Sequence, residues 1–456
     1  MKKSDNSSSQ IILLNSPLFA NKDKKNNEDY LPPLGLGIIM SSINEYNVLF
    51  IDAIADNIGC QELIEKIQML EPSFVLTNIF TTNFLLVKEI VENIKISTHW
   101  IIGGLSTKSL YKEIFKWNTP NLIDVIYGDG ELIVKDIINS SLQEQPINRD
   151  NTKRYFLINE SSNYYVKDIS QDKLNRNIFK NEPQTNIYNE SEISIYTSRG
   201  CPYNCAYCVA ARSRNKELGK IRRKNSDRLI KELDDIKTIY PEVTAIRILD
   251  DLFLSSMQSF NDAILIFNKF NFQWRAMCHI KSINAIEDIV LKNIKDSGCS
   301  ELFIGIESGS PRILKKIHKT DNIDIILKSV KRVLRVGINV KGYFICGFPD
   351  ETIFDLKKTY EITSELTTFA KKHKVNFRNS TFQFRPYYGT ELYDDIVNFN
   401  NISNDSILYK VKVSTSLNKN VRDKSFNFDS GNYSLICDEE LNDYIKKMNE
   451  LNNELV

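Results

Sequence analysis

From residue 11 to about residue 140 the chain alternates short apolar runs with amphipathic stretches. The runs at 11–14, 48–51, 74–77, 100–102 and 125–127 have the length and β-branched content of buried strands, while 61–70 and 84–94 repeat apolar positions at helical spacing. Five strands with helical crossovers predict a doubly wound parallel sheet over residues 1–140. The pattern weakens into Asn-, Ser- and Lys-rich sequence over 141–191, which reads as a linker with a hairpin at 155–158 and 164–166. It then resumes on a longer period. Strands are predicted at 193–196, 245–249, 274–277, 302–306, 340–345 and 376–384, with helices at 227–239, 285–295, 323–336 and 353–370 between them. Six βα units, each followed by polar or glycine residues, predict a second α/β domain over 192–395, a partial (β/α)6 barrel with its site at the carboxyl face. Residues 396–456 form a small C-terminal tail, polar apart from one amphipathic helix at 439–451.

Length and composition narrow the classes. A chain of 456 residues, 42% hydrophobic and 26% charged, has material for two or three globular domains and is neither disordered, collagen-like nor a coiled coil. Its 59 Lys+Arg against 58 Asp+Glu lack the basic excess of a dedicated nucleic-acid binder. The run at 11–14 is too short for a signal-peptide core and no stretch of eighteen apolar residues follows, so a cytoplasmic protein with no membrane partner is expected. Eight cysteines are too few for a disulfide scaffold, yet Cys201, Cys205 and Cys208 lie within eight residues. The other five are scattered and receive no role.

In a doubly wound sheet ligands bind beyond the carboxyl ends of the strands. The residues there are Asn15 to Pro17, Asp52, Asn78, Gly103 with Gly104, and Gly128-Asp129-Gly130-Glu131. Glycine lets a backbone approach a ligand and serves strand-to-helix turns equally well. The first strand of the second domain runs into Thr197-Ser198-Arg199-Gly200-Cys201-Pro202-Tyr203-Asn204-Cys205-Ala206-Tyr207-Cys208. Thiolates favour zinc or iron–sulfur clusters, and a closed site of either kind takes four protein ligands. Only three are local, and His99, His279, His318 and His373 are all distant in sequence. Zinc must therefore import a fourth ligand, whereas a four-iron cluster held by three thiolates keeps one iron open.

The CxxxCxxC spacing, with Tyr207 before the last cysteine and a strand before the loop, resembles the signature of the radical S-adenosylmethionine (SAM) superfamily. The resemblance implies that Cys201, Cys205 and Cys208 hold a 4Fe-4S cluster whose open iron binds SAM, and that one electron releases a 5'-deoxyadenosyl radical. It places the aromatic ring of Tyr207 at the cofactor and Asp250 and Asp251 near the methionine ammonium, although these two could equally cap a helix. Glu307 and Ser308, in Gly305-Ile306-Glu307-Ser308-Gly309-Ser310, are expected at the ribose, with a plain solvated carboxylate as the alternative for Glu307. Gly347 and Phe348 are expected along the adenine, and the segment Arg385 to Thr390 resembles the close of the core domain.

The first domain is similar to the amino-terminal domain of cobalamin-binding radical SAM enzymes in Pro32-Pro33-Leu34-Gly35-Leu36, Asp52-Ala53, Gly103-Gly104 and Gly128-Asp129-Gly130-Glu131. Asn15 and Pro17 lie where methionine-synthase-type domains carry a cobalt-ligating histidine, which is absent here. The resemblance, over about 11–393, implies a cobalamin-dependent radical SAM methyltransferase acting on an unactivated carbon of a small-molecule or peptide substrate, with an external electron donor. The alternatives are a cobalamin-free radical rearrangement, oxidation or epimerisation, and a non-catalytic zinc-binding protein. A tRNA methylthiotransferase would bring extra cysteines to a first domain that has only Cys60. His279 either faces substrate or is a hydrogen-bonded core residue. The basic run Arg212, Arg214, Lys216, Lys220, Arg222, Arg223 and Lys224 either steers an anion or is a solvated loop.

Overall fold

The computed structural model describes residues 10–17, 31–399, 412–413, 428–429 and 432–454. The first sheet contains β1 (Ile11–Asn15), β2 (Val48–Asp52), β3 (Phe74–Asn78), β4 (His99–Gly103), β5 (Ile123–Tyr127), β6 (Asn148–Asp150) and β7 (Lys153–Leu157), in the order β2-β1-β3-β4-β5-β7-β6. All pairs are parallel except β6 with β7. Ile12, Leu14, Val75, Trp100 and Val125 pack into one core and Ile11, Leu13, Leu76, Ile101 and Ile126 into another on the opposite face. Burial on both faces explains why these strands read as continuous apolar runs.

The segment 141–191, expected as a linker, belongs to both sheets. Tyr155 enters one core and Phe156 the other, which docks β7 beside β5. The partner of β7 is β6, across a turn at Asn151 (φ 44°). Residues 164–166 form no strand; Tyr164 packs into the core and the Val166 N–H donates to Asp129. The expected strand at 155–158 is thus β7, whereas polar composition hid β6 and the turn, which carry no apolar alternation.

The second sheet is open and contains β8 (Gln184–Thr185), β9 (Ser191–Ile195), β12 (Ala245–Ile248), β13 (Gln273–Cys278), β14 (Cys299–Glu307), β15 (Asn339–Cys346) and β16 (Phe377–Gln383), in the order β16-β15-β14-β13-β12-β9-β8. Six strands run parallel and β8 is an antiparallel edge. The short β10 (Ser198–Arg199) and β11 (Arg222–Arg223) form a separate ribbon. Along β15 buried and half-buried residues alternate: Val340, Gly342, Phe344 and Cys346 face the helices, while Lys341, Tyr343 and Ile345 face the concave lumen. The helix Asp438–Glu450 covers β16, where Asn379 donates to the carbonyl of Met448 (2.8 Å).

Candidate active site

The chain leaving β9 is fixed by Asp250, just past β12. This buried carboxylate accepts from the N–H groups of Thr197 (2.6 Å) and Ser198 (3.1 Å) and from both hydroxyls, that of Ser198 at 2.7 Å. Asp250 is thereby occupied in holding the root of the loop, and the neighbouring exposed Asp251 is the carboxylate whose charge reaches Cys201 and Cys208. β10 and β11 close the base of the loop, and Gly200 turns into Cys201 in the left-handed region (φ 98°). Inside it, the Cys208 N–H donates to the Cys205 carbonyl (3.1 Å), and the Ala206 N–H donates to that of Ile317 (3.2 Å).

The three thiols are half-buried. Burial, and then nearby negative charge, raises the pKa of Cys201 and takes that of Cys208 to about 12, so the thiolate form there needs a cation beside it. Among the described residues no three Cys, His, Asp or Glu side chains converge on a single-ion site. A four-iron cluster takes each thiolate on a different iron and requires no such convergence.

Glu307 ends β14 at a break in register, in the left-handed region (φ 69°). It accepts from the Tyr207 hydroxyl (2.7 Å) and pairs with Lys319 (3.2 Å), which also donates to the Gly305 carbonyl (3.3 Å). Burial opposes the Lys319 charge, but Glu307 and the nearby thiols hold its pKa above the ordinary lysine value. A β-carbon at residue 305 would lie 2.3 Å from the Glu307 carboxylate and 3.0 Å from the Lys319 ammonium, so the pair requires glycine there. The buried Phe348 ring lies 5.9 Å from that of Tyr207, and the N–H groups of Gly347 (2.5 Å) and Phe348 (3.2 Å) donate to Glu351. Ser308 lies behind them, with its hydroxyl 3.2 Å from that of Thr359 and accepting from the Ser310 N–H.

His279 stacks on Tyr203 (3.7 Å between centroids, 14° between planes) and caps the helix Ile280–Asn284, accepting from the Lys281 N–H (3.2 Å). Burial, then the charges of Lys319 and Lys281, hold its pKa at about 3, so it is a neutral packing residue. The basic run is largely used internally: Arg214 pairs with Asp394 (2.9 Å), Lys224 with Glu232 (2.8 Å), Arg212 donates to the Gly219 carbonyl and Arg223 to Ser255.

On the first domain, Asn15 donates to the buried Asp52 (2.8 Å), which also accepts from the N–H groups of Ile54 and Ala55, and Pro17 is buried beside them. Gly104, Gly128 and Gly130 serve chain packing: β-carbons there would lie 3.0 Å from the Ile79 carbonyl, 2.3 Å from that of Ile158 and 3.0 Å from Ile39. Gly103 differs, since a β-carbon there meets nothing within 4 Å. Its register partner Asn78 and the nearby Thr81 each have a buried side-chain oxygen without a hydrogen-bond partner. Open space beside unsatisfied oxygens suits a ligand rich in polar donors.

Sequence reasoning missed Arg199. Two residues before Cys201, it donates to Asp129 (2.7 Å), Glu131 (2.5 Å) and Asp172 (2.6 Å), and Arg222 also pairs with Asp129. Glu131 thus faces the root of the cysteine loop. The only available signal was one arginine beside the cysteines and two carboxylates flanking Gly130, far apart in the chain.

Residues 195–362 match the Radical SAM superfamily. An uncharacterized methyltransferase of Pyrococcus horikoshii is 28% identical over 381 residues, covering 80% of this chain and 78% of that protein. Among solved structures, the cobalamin-dependent SAM radical enzyme OxsB superposes with a TM-score of 0.64 at 16% identity, over 94% of this chain and 64% of its own. The radical SAM methyltransferase TsrM of Kitasatospora setae superposes at 0.61 and 13%, over 86% and 76%. Residues 195–362 thus form a radical SAM domain. The chain's doubly wound sheet ahead of an open barrel is the two-domain fold of OxsB and TsrM.

Proposed function

We propose that this protein is a cobalamin-dependent radical SAM methyltransferase that alkylates an unactivated carbon of a small molecule. The observation that carries this is the joining of two carboxyl-end sites by Arg199, one with three half-buried thiols and the other with open space at Gly103. Cys201, Cys205 and Cys208 would hold the 4Fe-4S cluster. Asp251, Tyr207, Glu307, Gly347 and Phe348 would bind SAM, Glu307 through an orientation fixed by Lys319 and Tyr207. Cobalamin would lie against Gly103, Asn78 and Thr81 of the first domain. The bound groups would supply a carbon-centred radical and a transferable methyl group. The chain's own part is to fix the two cofactors relative to each other, to position the substrate between them and to exclude water.

Methyltransferases are among the relatives in sequence, beside methylthiotransferases, and they support methyl transfer over rearrangement or oxidation. No helix among the described residues is long and apolar enough to cross a membrane. We place the enzyme in the cytoplasm with an external electron donor and without a nucleic-acid partner, consistent with the internal pairing of the basic run. Anaerobic reconstitution followed by iron, sulfide and corrinoid analysis and an assay for 5'-deoxyadenosine tests the reading. Iron, corrinoid and 5'-deoxyadenosine together are expected. Iron and 5'-deoxyadenosine without corrinoid would reduce it to a cobalamin-free radical reaction, and a single tight zinc would end it.

A further inference from the structure

The end of β5 in the first domain meets the cysteine loop at a second place besides Arg199. Tyr127 is fully buried, and its hydroxyl donates to the side-chain carbonyl of Asn215 (2.7 Å). Asn215, itself buried, donates through its side-chain amide to the carbonyls of Val209 (2.7 Å) and Ala211 (2.9 Å), the first and third residues past Cys208. One strand end thus holds both limbs of the loop. Asp129 reaches the limb before Cys201 through Arg199, and Tyr127 reaches the limb after Cys208 through Asn215. Lys108, on the first-domain helix Thr107–Phe115, donates to the Arg214 carbonyl and secures the same segment.

What Asn215 holds is the peptide beside an expected metal ligand. The carbonyl of Val209 and the N–H of Ala210 belong to one planar trans peptide and point in opposite directions, so fixing the carbonyl aims the N–H. Burial disfavours the Cys208 thiolate, and that N–H, hydrogen-bonded to the sulfur, favours it. The Ala211 N–H donates to the Cys208 carbonyl (3.2 Å) and closes the turn. Burial pushes the Tyr127 phenol further up, so it stays neutral and keeps its proton to donate. An apolar pair would hold the two domains together without desolvating a phenol and an amide; the polar relay adds direction. Hydrogen bonds to ligand sulfurs set the potential of an iron–sulfur cluster, since a donor stabilises the more negative reduced state.

We propose that Tyr127 and Asn215 are positioning residues of the iron–sulfur site, through which the first domain aims a backbone donor at the Cys208 sulfur. They would set the potential at which the cluster takes one electron from the external donor. This rests on reading the three thiols as 4Fe-4S ligands. It gives the first domain a part in cluster reduction that is independent of corrinoid.

Redox titration of the anaerobically reconstituted enzyme, followed by electron paramagnetic resonance of the reduced cluster, tests the assignment. Tyr127→Phe keeps the ring in the first-domain core and removes only the hydroxyl. It should lower the midpoint potential and alter the resonance signal at unchanged iron per chain. Asn215→Leu should lower the potential at least as far, and the double variant no further than Asn215→Leu alone, because the two residues act in series. Iron release to a chelator should be several-fold faster in all three. Leu63→Ala, on the helix Cys60–Leu70 of the same core, should lower the Tm and leave potential and signal unchanged. The proposal is overturned if Tyr127→Phe keeps the parent's potential and signal, if the two substitutions add, or if Leu63→Ala shifts the potential equally. Should Tyr127→Phe fail to fold, a parent-like potential in Asn215→Leu would overturn it as well. The titration requires no corrinoid. A chain with the cluster but without corrinoid refutes only the methyltransferase reading, and a corrinoid-bearing chain whose variants titrate like the parent refutes only this one.

Discussion

Arg199 reaches from two residues before Cys201 to Asp129 and Glu131, at 2.7 and 2.5 Å, and so ties the root of the cysteine loop to the end of β5 in the other domain. Burial opposes the arginine's charge, but the surrounding carboxylates hold it firmly ionised.

Replacing Arg199 by methionine leaves Asp129 with Arg222 and takes the paired cation from Glu131 and Asp172. Removing one member of a largely buried ion cluster costs about 3–5 kcal/mol, and partial exposure of Arg199 reduces this to roughly 2–3. Urea unfolding should register the loss, and limited proteolysis should become faster within 141–191. Arg199→Lys should rescue little, because one ammonium cannot serve three carboxylates in a fork.

Asp250 accepts four donors from Thr197 and Ser198, so Asp250→Asn places an amide donor against donors. A loss of about 2 kcal/mol is expected, as for a buried group left unsatisfied. Iron bound per chain should fall although no thiol has changed, and iron analysis with a melting curve checks both.

Glu307→Gln removes the counter-charge of the buried Lys319 while leaving an oxygen for the Tyr207 hydroxyl. SAM affinity should drop by about tenfold, the worth of a hydrogen bond to a charged group. Iron content should stay constant, so equilibrium dialysis with labelled SAM beside iron analysis separates cofactor binding from loop folding. Gly305→Ala should reproduce the effect by displacing the same carboxylate.

Glu351 is buried beneath Gly347 and Phe348, and burial raises its pKa from 4.5 to about 8. The folded chain keeps a proton that the unfolded chain releases above pH 4.5. Its contribution to stability is therefore full below that pH and is lost as the pH rises toward 8. Glu351→Gln should remove this slope, so that parent and variant melting temperatures diverge between pH 5 and 8, with the variant higher at pH 8. Scanning calorimetry across that range decides it.

The sheets were legible because periodicity reports burial. The runs at 11–14 and 302–306 are apolar since both faces, or one face and a bulky lumen, exclude water, and they lie in β1 and β14. The cysteine loop was legible because its chemistry is local. What escaped is held together by residues far apart in the chain. Asp250 and Ser308 read as ligands, yet their oxygens are engaged with protein groups. Glu131 and Gly128 read as a cofactor edge, yet one faces Arg199 and the other makes room for Ile158. Asn215 looked like any residue of the basic loop, because only the fold brings it to Tyr127. Residues 18–30 lie outside the described residues.

The Arg199 joint shares no residue with the cluster of Arg275, Glu301 and Arg378 inside the second sheet. Substitutions in that cluster therefore leave the contact between the two halves in place. Docking and barrel packing are separable traits in this scaffold, open to change one at a time.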